Sequence, residues 1–536
     1  MRKIKKLLKG EEAKKKIKEG IDLVADYIKI TLGPKGRNVA FNQWGPLPTR
    51  VINDGVTIAQ EIKSEDSFVQ AGVEMVQEIC KKTNFNAGDG TTQTALLAQA
   101  IINEGQKRLV AGLNPIDIKN ELEKDLGQLL VQLAKLSQEV EKIDDIRNIA
   151  TISGNNDTEI GNAVAEVMEK VGMNAAINIE KGKEKRIWTE TVKGMWFDKG
   201  YRVPNFMNNP KQTAEFSNPN IFLIDVELKW ADELKEFFRK TDELGMEKIV
   251  VIANEIEGEA LYSLVLTNNS KASGKEGFYV NAIEAPFFGP DRQDAMEDIA
   301  IYTGAKVISK ANGLELNTVD PKEVVGKCDK IMSSSKTTIM LGGVGEQKKV
   351  DKRIKEINGL IKQLGPNEKT IKENMEKRRD TLESGVGIIY AGGSTEIEIK
   401  DRNLRLEDAV LASKSALKEG FVDGGGYTYL LLSSMAKTDI LREALKEVLK
   451  QIAENAGKTP ELVLEKCGDL SKGYNAKTDK YENLKEAGVI DATLVIKNAL
   501  MNAVSLAGLF LTTEAIVAEG IAEEGNDFHK PRLKNQ

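Results

Sequence analysis

The chain has 536 residues, is 41% hydrophobic, 29% charged and only 5% aromatic, and carries a net charge of −6. That length suits two to four domains with substantial cores, and the acidic balance gives no general reason to expect nucleic-acid binding. Three scattered cysteines (Cys80, Cys328, Cys467) and one histidine, His529, argue against a disulfide framework, a zinc motif and Ser-His or Cys-His catalysis.

The basic start, Arg2 to Lys9, runs into a charged segment rather than an apolar one, so no signal peptide is expected and the cluster reads as a solvated edge. Ile17, Ile21, Val24 and Ile28 recur at helical spacing. A glycine turn, Thr31-Leu-Gly-Pro-Lys-Gly36, follows. Two short acid-bearing loops come next, Asn53-Asp54-Gly55-Val56-Thr57 and Gly88-Asp89-Gly90-Thr91-Thr92. A helix is expected from about Thr91, with Asp89 or Thr91 as its cap, and another after Asn114-Pro115.

The middle changes character. Ile221–Ile224, Ile249–Ala253, Phe278–Val280 and Lys306–Ile308 read as buried strands alternating with helices, the pattern of a small α/β domain. Lys348 to Arg379 reads as a charged helical hairpin turning near Gly365-Pro366-Asn367. A third acid-bearing loop, Leu406-Glu407-Asp408-Ala409, precedes Gly424-Gly425-Gly426. Leu441–Ala456 and Val495–Ala518 read as long helices. The most apolar stretch, Ala503–Leu511, is too short to span a bilayer, so no membrane partner is expected.

Glycines let backbone approach phosphate oxygens, aspartates offer hard oxygen ligands to a magnesium-nucleotide, and an acid left over can orient water. The three loops therefore point to a nucleotide hydrolase assembled from both ends of the chain. No Gly-x-x-x-x-Gly-Lys-[Ser/Thr] loop is present, which counts against a small-molecule kinase.

Several segments in fixed order make the chain resemble the group I, GroEL-type chaperonins. They are Thr31-Leu-Gly-Pro-Lys-Gly-Arg-Asn-Val39, Asp54-Gly-Val-Thr57, Gly88-Asp-Gly-Thr-Thr92, and Ala285-Pro-Phe-Phe-Gly289 with Asp298-Ile-Ala300. Arg405-Leu-Glu-Asp-Ala409, Glu419-Gly420 with Gly424–Gly426, and Gly473-Tyr-Asn-Ala476 with Asp491 complete the set.

The resemblance implies a multi-domain α+β fold. A helical equatorial ATPase domain would be drawn from both termini (1–135 and 419–536), with a small intermediate hinge domain (136–192 and 387–418) and an inserted α/β apical domain (193–386). It implies ATP, magnesium and potassium as cofactors. Thr31, Leu32, Gly33 and Pro34 would line the nucleotide, and Asp89 would hold magnesium. Gly90, Thr91 and Thr92 would meet phosphates, and Gly425, Asn475, Ala476 and Asp491 would hold adenosine. Asp54 and Asp408 would position or activate the attacking water, with Asp408 delivered by hinge closure.

Tyr201, Phe206, Leu234, Phe237, Phe238, Leu261, Val265 and Leu266 would form the groove for non-native polypeptides, shared with a GroES-type co-chaperonin lid. The subunits would form a heptameric ring. A cytoplasmic location is implied, with an organellar or mobile-element origin left open.

Some residues depart from the family pattern. Asn53 stands where lysine is common, Gln93 where threonine is usual, and Asn205 where an aromatic is expected. Thr459 replaces an inter-ring acid near Lys450, leaving a single ring as open as a double one. Lys199 and Glu396 remain available as an inter-subunit pair, and the tail lacks Gly-Gly-Met repeats. These departures motivate the alternative of a holdase or scaffold ring that does not cycle.

Overall fold

A computed structural model describes residues 3–42, 50–173, 176–209, 212–275, 277–364, 368–383, 385–469 and 471–521. His529 with the C-terminal tail, and the hairpin turn at Gly365-Pro366-Asn367, lie outside the described residues. The fold is multi-domain α+β. Two compact units emerge, Met1–Glu166 with Ile179–Trp188 and Tyr390–Gln536, and Val167–Asn178 with Thr189–Ile389.

The first unit is mainly helical and is built from both ends of the chain. Helix Glu11–Lys29 buries Ile17, Ile21, Val24 and Ile28. Helices Ser67–Ala87, Thr91–Val110, Pro115–Leu136 and Thr493–Thr512 contribute to the same core. Asn114 caps the third of these, its Oδ1 accepting from the Ile116 amide, with Pro115 in the first turn. Helix Thr493–Thr512 is long and apolar enough to cross a bilayer, but two thirds of its apolar window is buried, as a core helix requires.

The termini are tied together. Strand Lys3–Lys9 pairs antiparallel with Ala515–Ile521. The long helix expected through Ala518 therefore stops at Thr512, and the β-branched run Ile516-Val517 extends into the strand instead. Likewise, the helix expected over Leu441–Ala456 is two pieces, Asp439–Ala444 and Glu447–Asn455.

In the second unit, Asn220–Leu228 and Lys248–Ile256 pair in parallel, flanked by Tyr279–Glu284 and Val307–Ile308. Their continuous apolar runs fit strands buried on both faces. Sequence periodicity did not distinguish a second, antiparallel sheet of short strands, Gly194–Phe197, Thr338–Leu341, Lys330–Ser333 and Ala214–Ser217. The charged hairpin is real: Gln347–Ile361 and Lys369–Glu383 are both helices. Asp298, 2% exposed, accepts from Arg378 Nε and Arg353 Nε, each at 2.7 Å, anchoring both hairpin helices to helix Gly289–Thr303.

Candidate functional site: an acid-lined cavity

Asp54 follows the short strand Arg50–Ile52 and caps helix Gly55–Glu61, accepting from the Val56 amide at 3.2 Å and the Thr57 amide at 2.8 Å. Asp89 does not cap its helix. The N-cap of Thr91–Val110 is Gly90, at φ +88°, where a Cβ would sit 2.7 Å from a Val495 methyl. Glycine thus lets the chain turn tightly and leaves the Asp89 carboxylate beside the cavity. Asp408 lies in no loop. It occupies the interior of helix Glu396–Glu419, whose cap is Thr395, because Leu406, Ala409 and Val410 supply a buried helical face. The expected loop at Leu406–Ala409 is corrected accordingly.

These three acids line one cavity of about 410 Å³. Thr31, Leu32, Gly33, Pro34, Gly90, Thr92, Gly425, Asn475, Ala476 and Asp491 line it too. Thr91 does not; its side chain is buried, 6% exposed, with its hydroxyl directed toward Gly55. The glycine run is needed for close approach: Gly426, at φ +79°, would place a Cβ 2.9 Å from the Leu449 amide. Asn475 is fixed from both ends, Nδ2 donating to Glu482 at 2.8 Å and Oδ1 accepting from the Lys477 amide at 3.1 Å.

The electrostatics are those of an acid cluster awaiting positive charge. Burial, then the charges of Asp54, Asp89 and Glu407, hold the Asp408 carboxyl well above the usual carboxylate range. Burial raises Asp89 as well, with Asp54 adding to it, while a Ser153 hydrogen bond and the Gly90 amide oppose the shift. Asp491 is pushed up to about 7 by burial and by Asp89 and Asp423.

Among the described residues no group of three His, Cys, Asp or Glu side chains could hold a metal unaided. That suits magnesium, which typically takes one or two carboxylates and fills its other positions with phosphate oxygens and water. Arg405 also lines the cavity; its Nε is buried with no acceptor, and it pairs with Asp401 at 2.7 Å. The residues therefore fit a magnesium-nucleotide.

Sequence reasoning missed part of the wall. Arg147, Asn148 and Ser153 come from helix Ile143–Ser153. Asn155 and Asn156 follow it with φ of 60° and 61°. The signal was the Gly154-Asn155-Asn156-Asp157 run, since asparagine tolerates the left-handed region. Lys477 closes on this turn, its Nζ donating to the Asn156 carbonyl at 3.4 Å.

The expected polypeptide groove divides in two. Leu234 and Phe238 line a groove of about 360 Å³ between helices Ala231–Glu243 and Gly258–Ala272. Phe237 and Phe206 do not, yet all four belong to one core cluster, Leu234 at 1% and Phe238 at 9% exposed, so the groove walls offer little free apolar area of their own. The reason is helical phase: Phe237 points at Phe222, with ring centroids 4.9 Å apart and nearly perpendicular. Tyr201, Leu261 and Val265 are half-buried against that core, and Leu266 is 47% exposed. Trp230 and Tyr262, at 61% and 64%, supply the large exposed apolar surface that the sequence reading did not select.

Other departures also find partners. Asn53 donates to the Arg37 carbonyl at 3.2 Å, and Lys450 pairs with Glu447 at 2.6 Å. Lys199 pairs with Glu284 at 3.0 Å and Glu396 with Lys181 at 3.1 Å, so each has an in-chain alternative to an inter-subunit bridge.

The comparisons agree with this architecture. A model of the TCP-1/cpn60 chaperonin family matches residues 24–520. The chain belongs to that family. Its fold is similar to two crystal forms of the chaperonin gp146 from bacteriophage EL of Pseudomonas aeruginosa, both determined in the presence of ATP-BeFx. Form II has a TM-score of 0.71 at 21% identity, covering 95% of this chain and 98% of the other. Form I has a TM-score of 0.62 at 20% identity, covering 97% and 99%.

Proposed function

We propose that this chaperonin is an ATP hydrolase that captures non-native polypeptides and releases them through a nucleotide-driven cycle. The observation that carries this reading is the convergence of Asp54, Asp89 and Asp408, from three separate segments, on one glycine-rimmed cavity. Family membership and the nucleotide analogue named with both phage structures support it.

The roles are those the family resemblance implies, and the shared cavity supports them. Asn475, Ala476, Gly425 and Asp491 hold the nucleoside, and the Thr31–Pro34 turn with Gly90 and Thr92 cradles phosphates. Asp89 would hold magnesium, which would supply positive charge beside the clustered acids and the phosphates. Asp408, in its ionised form, orients and deprotonates the attacking water together with Asp54. Potassium is proposed on the resemblance alone. Because Asp408 sits in the segment expected to form the hinge, completing the site would couple chemistry to conformation.

Capture rests on apolar area rather than sequence. Trp230, Tyr262 and Leu266 lie exposed beside the groove lined by Leu234 and Phe238. In this reading subunits form a heptameric ring, single or double, and a GroES-type lid competes for the groove.

The test is the refolding yield of a chemically denatured, aggregation-prone protein, with particle mass recorded alongside. ATP-dependent recovery by a ring is expected. Equal recovery with and without ATP would leave a holdase.

A further inference from the structure

Gln93 lines the cavity from the first turn of helix Thr91–Val110, next to the residues proposed to meet phosphate. Its Oε1 accepts a 2.8 Å hydrogen bond from the Tyr429 hydroxyl. Tyr429 belongs to helix Tyr427–Met435, which follows the glycine run, and is 0% exposed. Burial, together with the charges of Asp491 and Asp89, keeps its phenol well above its ordinary range. The phenol is therefore neutral and has one proton, which goes to Gln93.

A carboxamide whose oxygen is taken in this way has only its NH₂ group left to offer. Among the described residues that NH₂ makes no hydrogen bond, and Gln93 is half-buried at the cavity wall. An unpartnered donor beside Asp54, Asp89 and Asp408 has two uses. It could meet a carboxylate already present, and it does not. It could meet an anionic group brought by the ligand. A freely rotating carboxamide would present oxygen as readily as nitrogen, and oxygen facing phosphate would repel it.

We infer that Tyr429 is a positioning residue that locks the Gln93 carboxamide with its NH₂ toward the cavity, making Gln93 a donor to the phosphates of the bound nucleotide. This rests on the nucleotide reading of the cavity and deepens it. The bond from Tyr429 joins the C-terminal glycine-run segment to the N-terminal phosphate segment, so the two halves of the site are registered at a polar contact as well as by packing.

Four variants test it by equilibrium binding of MgATP, with the nucleotide-free unfolding midpoint of each recorded. Gln93→Glu keeps the acceptor for Tyr429 but replaces the donor, and affinity should fall on the order of 10- to 100-fold, the loss of a charge-assisted hydrogen bond. Gln93→Met should lose affinity by removing the donor altogether. Tyr429→Phe should weaken ATP binding several-fold, and adding it to Gln93→Met should weaken binding no further. A purely structural Tyr429 would move the unfolding midpoint, and its effect on affinity would persist in the Gln93→Met background; that result overturns the inference. Unchanged affinity in Gln93→Glu overturns it as well. If the wild type binds no ATP, the nucleotide reading itself fails, a result distinct from either of these.

Discussion

Asp54 and Asp408 share one cavity, and burial, reinforced by the charge of Asp54, holds the Asp408 carboxyl well above the usual carboxylate range. Asp54 is also a helix cap, so its two oxygens are oriented by backbone before any ligand arrives.

The raised acids set a pH dependence. Asp89, Asp408 and Asp491 hold protons more tightly folded than unfolded. The folded state therefore carries extra protons from the ordinary carboxylate range up to about 7 for Asp491, and its stability falls as pH rises through that window. Binding of MgATP should release protons near neutral pH. Titration calorimetry in buffers of different ionisation enthalpy should detect the release, and Asp491→Asn should reduce it.

Asp125 holds two helices together through backbone. It is 3% exposed and accepts from the Lys437 amide at 3.0 Å, the Thr438 amide at 2.7 Å and the Thr438 hydroxyl at 2.8 Å. Asp125→Ala strands those donors. A loss of roughly 2–4 kcal/mol in urea unfolding is expected.

Arg378 is 3% exposed and meets Asp298 and Asp294, each at 2.7 Å. Arg378→Ala would leave Asp298 buried with only Arg353 as partner. The expected cost is about 3–5 kcal/mol, lodged in the second unit and measurable as earlier thermal unfolding.

Under the proposed function, helical phase should separate capture from stability. Tyr262→Ser with Leu266→Ser removes exposed apolar surface and should weaken retention of a denatured protein while leaving the unfolding midpoint nearly unchanged. Phe237→Ala empties the space against Phe222 and should cost about 3–5 kcal/mol instead. Client pull-down and calorimetry on both variants check the contrast.

Much of this was legible in the sequence, for identifiable reasons. Helix Glu11–Lys29 and the parallel strands announce themselves through periodicity and apolar runs, because each buries a defined face. The cavity was legible because several acid- and glycine-bearing motifs occur in one fixed order, whereas a single Asp-Gly pair would mark only a turn or a cap. What stayed hidden depends on partners distant in sequence. Nothing near Asp408 says that its helix continues through it, since Thr395, the true cap, lies more than three turns earlier. Nothing near Gln93 points to Tyr429, because their contact exists only once both halves of the first unit have folded. Phe237 and Phe238 are adjacent, chemically identical and both in the core, and only helical phase turns Phe237 onto Phe222 and leaves Phe238 at the groove wall.

Phosphate release from MgATP by the wild type and by Asp408→Asn, measured side by side with ATP affinity, tests the central claim most directly. Turnover should fall on the order of 10²-fold or more in the variant while ATP binding is retained, because the lost carboxylate acts on water rather than on the nucleotide. Equal turnover in the two proteins would contradict the assignment of Asp408 and, with it, the reading of the three-acid cavity as the hydrolytic site.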